Sequence, residues 1–269
     1  MSIRVLCYHT VQDPENFEKQ MLHLQKNYTV ISLHDFQVFL AQGNSLPAKP
    51  VLLTFDDGDR SVFEKGLPVL KKYKFPAVLF IISELIGTNK PFWWDEIFRR
   101  TKNRGRVQSA KRVSNEERLQ LLNELRADGP GDAYGQLSVD ELKELERNGV
   151  AIANHSHSHP MLDKCTKGEL ETEMAMSKDF FEKNGLGGFS TFAYPNGNYD
   201  SQSEEVLVKQ GVKYAFLFDH KINANKINPM RISRLSVNDH TPLWKFRFIL
   251  SGWHSRVVPF VKYVHKLIS

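Results

Sequence analysis

Two short clusters in this sequence combine residue types and spacings that can do chemistry. The first is Thr54-Phe55-Asp56-Asp57-Gly58, where an apolar run leads straight into two adjacent carboxylates and a glycine. Adjacent acids at the carboxyl end of a buried strand are costly unless a metal or hydrogen bonds stabilise them. Asp-Gly is also a common turn signal, so taken alone the same residues fit a turn with a helix cap equally well. The second cluster is Asn154-His155-Ser156-His157-Ser158-His159-Pro160, which follows the run Val-Ala-Ile-Ala. His155 and His159 are four apart, so one helical turn or a tight loop aims both imidazoles at one point. Three histidines in five residues behind a buried strand favour metal ligation over a core histidine or an exposed turn. His157 lies between the pair and points elsewhere on this reading.

Together the clusters offer one carboxylate and two imidazoles with coordination positions left open, the ligand set of a catalytic rather than a structural site. Structural zinc would call for more cysteine than the two present, Cys7 and Cys165. A second carboxylate beside the ligand is what a metal hydrolase needs to deprotonate an attacking water.

The elements that must position these groups alternate. Apolar runs predict strands at 3–8, 29–31, 51–55, 77–82, 149–154, 190–194 and 212–218, and periodic segments predict helices at 16–28, 32–40 and 61–73. Pairs suited to N-terminal caps recur at Ser32/Asp35, Ser114/Glu117, Ser138/Glu141, Thr166/Glu169 and Ser201/Glu204. Such alternation argues for parallel strands with crossover helices, an α/β fold. It lapses at about 84–137, which reads as a helical insertion: an aromatic helix (91–100), a basic loop (101–112) and a charged helix (115–126). No Pro/Gly/Ser-rich linker divides the chain, so one domain over 1–269 is expected.

With 41% apolar and 25% charged residues, the 269-residue chain is neither disordered nor collagenous. The net charge of +5 comes from Lys and Arg scattered among nearly as many acids, and no nucleic-acid motif accompanies them, so no nucleic-acid partner is expected. No signal-peptide run or spanning segment is evident, and the expected location is the cytoplasm. The segment 241–269 interleaves aromatics with cations. A terminal helix packed on the barrel is the favoured reading, and peripheral association with an anionic membrane is the alternative.

The motifs carry a resemblance. TFDDG, then about a hundred residues later H-S-x-x-H-P, then FAYPNG at 192–197, resemble the polysaccharide deacetylases of the NodB-homology, carbohydrate esterase 4 type. The opening VLCYHTV and the later RISRLSV are similar to the circularly permuted branch that contains poly-N-acetylglucosamine deacetylases. The resemblance spans most of the chain and implies a distorted seven-stranded (β/α) barrel with its site at the carboxyl ends of the strands. It implies Asp56 as general base and Asp57, His155 and His159 as ligands of one divalent ion, most simply Zn2+, with Co2+, Ni2+ or Fe2+ as alternatives. His9 matches the general acid; without the family match, a strand-end histidine bonded to backbone is the simpler reading. Pro195, Asn196 and Gly197 match the loop whose Asn196 N–H holds the oxyanion.

One departure stands out. The family carries an arginine in the third motif to orient the base, where this chain has Ala193. Arg234 is the candidate replacement, with a surface position on an edge strand as the alternative. Tyr8, Tyr194, Trp93 and Trp94 are candidates to stack on sugar faces, against ordinary core packing. The implied activity is removal of an N-acetyl group from an amino sugar in a cell-surface glycan or in its lipid-linked or nucleotide-linked precursor. Two alternatives are a noncatalytic glycan-binding protein of the same fold and a hydrolase of another acyl group or C–N bond. The oligomeric state leaves no mark in the sequence.

Overall fold

The computed structural model describes residues 2–127, 129, 133–224 and 226–252. The chain opens with β1 (Ser2–Tyr8), α1 (Pro14–Asn27), the short β2 (Thr29–Val30), α2 (Leu33–Gln42) and β3 (Pro50–Phe55). A π-helical turn, Val62–Gly66, runs into α3 (Leu67–Tyr73), followed by β4 (Ala77–Ile81). The insertion contributes α4 (Trp93–Thr101), α5 (Arg104–Ala110) and α6 (Asn115–Arg126) before α7 (Val139–Arg147) and β5 (Val150–Asn154). After these come α8 (Lys167–Asn184), β6 (Thr191–Ala193), α9 (Ser201–Lys209), β7 (Tyr214–Phe216), β8 (Asn223–Ala224), β9 (Leu235–Ser236) and α10 (Leu243–Ser251).

Parallel pairing runs β1-β3-β4-β5-β6-β7, and β9 pairs parallel with the other side of β1. The circuit is completed irregularly by residues 229–237. Ala215 N donates to Pro229 O (2.8 Å), Ile232 N to Ala215 O (2.9 Å), Leu217 N to Ile232 O (2.7 Å) and Val237 N to Cys7 O (3.0 Å). Strands β3 and β4 are buried along their whole length, which explains their continuous apolar runs: a parallel sheet is covered on both faces. The result is the expected distorted (β/α) barrel. The two-residue strands β8 and β9 are too short to show a period, and the sequence does not announce them.

Reciprocal capping boxes form at Ser32/Asp35, Ser114/Glu117, Ser138/Glu141 and Thr166/Glu169. The fifth is displaced. Asp200, not Ser201, caps α9 and pairs with Ser203, because a carboxylate one residue earlier accepts from Ser203 N at 2.8 Å and suits the positive helix end. The basic loop expected at 101–112 is also corrected. Most of it is α5, started by the Asn103 side chain accepting from Gly105 N and Arg106 N.

Helix α10 buries Phe246, Ile249 and Leu250 against the core and leaves Trp244 exposed. Residues 253–269, which hold the second half of the aromatic and cationic segment, lie outside the described residues. Among the described residues no helix is long and apolar enough to cross a membrane.

Candidate active site

The strand β3 delivers both carboxylates at its carboxyl end, and the chain then turns sharply. Asp57 and Gly58 have φ of 71° and 77°, and a Cβ on Gly58 would lie 3.3 Å from Ile81 Cγ2. Asp56 is fixed from three sides. Its N–H donates to Tyr8 O (2.9 Å), its two oxygens accept from Arg234 Nη1 (2.6 Å) and Nη2 (2.7 Å), and Cys7 Sγ donates to Oδ2 (3.4 Å). Arg234 is not a surface residue. It is fully buried, its Nε donates to Leu217 O (2.7 Å), and its guanidinium lies 5.6 Å from the Phe80 ring centroid. Burial alone would raise the Asp56 pKa, but Arg234 and then His155 outweigh it and hold the carboxyl well below its ordinary range.

The histidine loop leaves β5 and is held by side chains rather than by regular structure. Asn154 Oδ1 accepts from Ser156 N (2.8 Å) and Ser177 Oγ (2.9 Å), and Ser156 Oγ accepts from His159 N (3.0 Å). Glu173, on α8, accepts from His157 N (3.0 Å), Ser158 N (2.8 Å) and Ser158 Oγ (2.6 Å). Trp93 Nε1 donates to His159 O at 3.1 Å. These bonds stabilise a backbone with φ of 69° at Ser156 and 57° at His159. With Asp57 and Asn196 (φ 55°), four of the eight positive-φ residues other than glycine among the described residues lie at this site. Such backbone strain concentrates where function needs a fixed geometry.

The loop brings His155 and His159 to Asp57. Their Nε2 atoms lie 3.3 and 3.5 Å from Asp57 Oδ1, and the three donor atoms are within 4.8 Å of one another. Ligand atoms about 2.1 Å from a tetrahedral ion sit about 3.4 Å apart, so the set fits a divalent cation. The Nδ1 of His155 donates to Ala193 O at 2.8 Å, which fixes the ring with Nε2 facing Asp57; burial lowers the His155 pKa, but Asp56 and Asp57 outweigh it and raise it. His159 Nδ1 is buried without a partner among the described residues, so the protein does not itself satisfy this imidazole. Burial and the neighbouring His155 push the His159 pKa down to about 3, leaving the neutral form that ligates metals. His157 turns out of the cluster, with Nδ1 3.0 Å from Ser83 Oγ.

Above these groups is a cavity of about 490 Å³, lined by His9, Asp56, Asp57, His155, His159, Tyr194 and Asn196 from the barrel and by Trp94, Arg104 and Lys111 from the insertion. His9 follows β1, and its ring stands edge-on to Phe218 at 5.7 Å. Asn196 sits in a tight turn in which Gly197 N donates to Tyr194 O (2.8 Å), and a Cβ on Gly197 would approach Phe218 Cβ to 2.9 Å. Pro195 is buried beneath this turn.

Tyr8 is not a substrate contact. Successive strand residues face opposite ways, so Cys7 and His9 face the site while Tyr8 points into the outer core, stacked on Phe55 with its hydroxyl donating to Gln20 Oε1 (2.8 Å). Tyr194 borders the cavity but is buried, and its hydroxyl donates to Met230 O (3.2 Å), so no open ring face is available for stacking. Trp93 is likewise buried, under His159, and Trp94 is the tryptophan on the cavity wall, its ring 4.7 Å from that of His159. Sequence reasoning missed Cys7, Glu173 and Lys111. Cys7 alone carried a signal, since it shares a strand face with His9.

The chain belongs to the polysaccharide deacetylase family, whose model matches residues 43–215. It is 26% identical over 247 residues to the poly-beta-1,6-N-acetyl-D-glucosamine N-deacetylase of Staphylococcus aureus, a match covering 88% of this chain and 70% of that one. Its fold is similar to Streptococcus pyogenes deacetylase PplD, solved with acetate, at a TM-score of 0.69 and 19% identity, covering 94% of this chain and 98% of that one. IcaB from Ammonifex degensii gives a TM-score of 0.69 at 21% identity, over 93% and 96% of the two chains. The chain is accordingly an enzyme of the polysaccharide N-deacetylase class. The noncatalytic alternative rested on the absent third-motif arginine, and the bidentate contact of Arg234 with Asp56 removes that ground.

Proposed function

We propose that this enzyme is a divalent-metal-dependent N-deacetylase of an N-acetylated amino sugar, in a cell-surface glycan or its lipid-linked or nucleotide-linked precursor. The observation that carries the proposal is the buried Asp56–Arg234 pair set directly beside Asp57, His155 and His159. Asp57, His155 and His159 would hold the ion, with zinc the simplest fit and cobalt, nickel or ferrous iron sharing the ligand preference. When bound, such an ion polarises an acyl carbonyl and acidifies water.

The chain's own groups then divide the proton transfers. Arg234 keeps Asp56 ionised and oriented, so its carboxylate can take the proton that the attacking water loses. The N–H of Asn196, an exposed residue on a left-handed turn at the cavity, donates on this reading to the oxygen on which negative charge develops, a contact of the kind that contributes about 3 kcal/mol. An amide nitrogen leaves poorly unless protonated, and His9, which lines the cavity, is the group that protonates it on this reading as the C–N bond breaks. The products are acetate and a free amine.

The test is acetate release from N-acetylglucosamine oligosaccharides and their phosphorylated precursors by the metal-loaded enzyme, with Asp56→Asn as the control. Turnover by the wild type several orders of magnitude above the control supports the reading, and no acetate above the control from any N-acetylated sugar overturns it.

A further inference from the structure

Helix α5 presents one stripe to the cavity. Arg104, Val107, Gln108 and Lys111 all line it, and their spacing of i, i+3, i+4 and i+7 puts them on one helical face. The two cations stand at the ends of that stripe, about 10 Å apart along the axis at 1.5 Å per residue. Arg104 lies 5.5 Å from the Phe98 ring centroid, and Lys111 Nζ donates to Asn196 Oδ1 at 3.2 Å. Neither forms an ion pair with a carboxylate among the described residues.

The acids on the same walls do not absorb this charge. Asp56 is neutralised by Arg234, Asp57 belongs to the ligand set, and Asp95 has Arg99 as its nearby counter-charge. Lys111 is half-buried, which lowers its pKa against the opposing pull of Asp57. A half-buried ammonium bonded only to a neutral amide gains from an anionic partner, and a guanidinium at the mouth offers a fork that matches phosphate or carboxylate oxygens.

We infer that the preferred substrate is an N-acetylated sugar carrying an oxyanion, a phosphate ester or a sugar carboxylate, which Arg104 and Lys111 bind while the N-acetyl group lies against Asp56 and Asp57. The inference rests on the deacetylase reading above and names the substrate class within it. It assigns substrate selection to the insertion rather than to the barrel. A neutral N-acetylglucosamine polymer makes no use of the two cations, and a neighbouring sugar already deacetylated to an ammonium is repelled by them.

The experiment compares three substrates at low and high salt: a neutral N-acetylglucosamine oligosaccharide, UDP-N-acetylglucosamine, and a disaccharide joining N-acetylglucosamine to a uronic acid. At low salt, kcat/KM for at least one anionic substrate should exceed that for the neutral one by about tenfold or more, chiefly through KM, and the advantage should shrink at high salt. Which anionic arm gains identifies phosphate or carboxylate as the source. The double variant Arg104→Gln/Lys111→Gln should bring the ratio of anionic to neutral kcat/KM to within about twofold of one, with bound metal unchanged. Hydrolysis of the neutral substrate with no anionic advantage overturns this inference alone, as does an advantage that survives the double substitution. No hydrolysis of any arm overturns the deacetylase reading and this inference with it.

Discussion

Replacing Arg234 with methionine tests the central electrostatic argument. Methionine keeps much of the volume but removes both hydrogen bonds to Asp56, leaving a carboxylate that is 3% exposed with no cation at bonding distance other than what the neighbouring imidazoles can supply. Breaking a buried ion pair on one side typically costs 3–5 kcal/mol, which for a chain of this size lowers Tm by roughly 10 °C. The sign of the pH effect follows from the direction of the shift. In the wild type the Asp56 pKa is depressed, so the stability it contributes is complete above the ordinary carboxylate range and is lost as pH falls below it. In the variant burial acts unopposed by Arg234 and raises the pKa, so the acid limb of the rate profile moves up toward neutrality; that shift alone costs about twofold at pH 7, and loss of the bidentate contact that orients the carboxylate brings the fall in turnover to about a hundredfold. Metal content should stay at the wild-type level, because Arg234 touches none of Asp57, His155 or His159. Adding Asp56→Asn should restore most of the lost Tm without restoring activity, since no charge is then left buried. The measurements are thermal melts, elemental analysis and a pH–rate profile. An Arg234→Met enzyme with near-normal turnover and an unmoved acid limb refutes the reasoning, and so does a loss of activity that tracks a loss of metal.

The two adjacent carboxylates should separate cleanly: Asp57→Asn weakens metal binding, whereas Asp56→Asn keeps the metal and loses turnover, and equal metal loss in both by elemental analysis would remove the distinction between ligand and base. His155→Ala should abolish tight metal binding, while His157→Ala, whose ring faces Ser83, should leave occupancy unchanged; the reverse pattern rejects the ligand set. His9→Ala should depress amide hydrolysis at least tenfold more than hydrolysis of an activated aryl ester, because a good leaving group needs no proton, and equal losses would make His9 structural. Glu173→Gln keeps the shape of the loop clamp but removes its charge, so metal affinity should drop about tenfold in a chelator competition; an unchanged Kd would show that the loop holds itself.

The sequence by itself determined the parts of this protein that are local. Continuous apolar runs marked the buried parallel strands because such strands are covered on both faces, and four capping boxes formed where Ser or Thr stands three residues before an acid. TFDDG and HSHSHP were legible because their residues lie within one strand end and one loop, where neighbours in sequence remain neighbours in space. Tyr8 could have been read correctly too, since period-two alternation already sets it opposite Cys7 and His9.

Tertiary structure alone decided what depends on distant segments meeting. Arg234 reaches Asp56 across 178 residues of sequence, by way of an irregular seam at 229–237 that closes the barrel through a few backbone bonds and has no periodicity to read. Glu173 reaches the histidine loop because α8 passes the carboxyl end of β5, where Ser177 Oγ donates to Asn154 Oδ1 (2.9 Å), and a single glutamate on a helix carries no mark of that contact. The segment 101–112 looked like a solvated basic loop because two of its cations serve neither a core nor an ion pair. Only the packing of α5 over the strand ends turns Arg104 and Lys111 toward the site. Short-range patterns are set by backbone geometry and burial, whereas a charge finds its partner through the closure of the whole barrel.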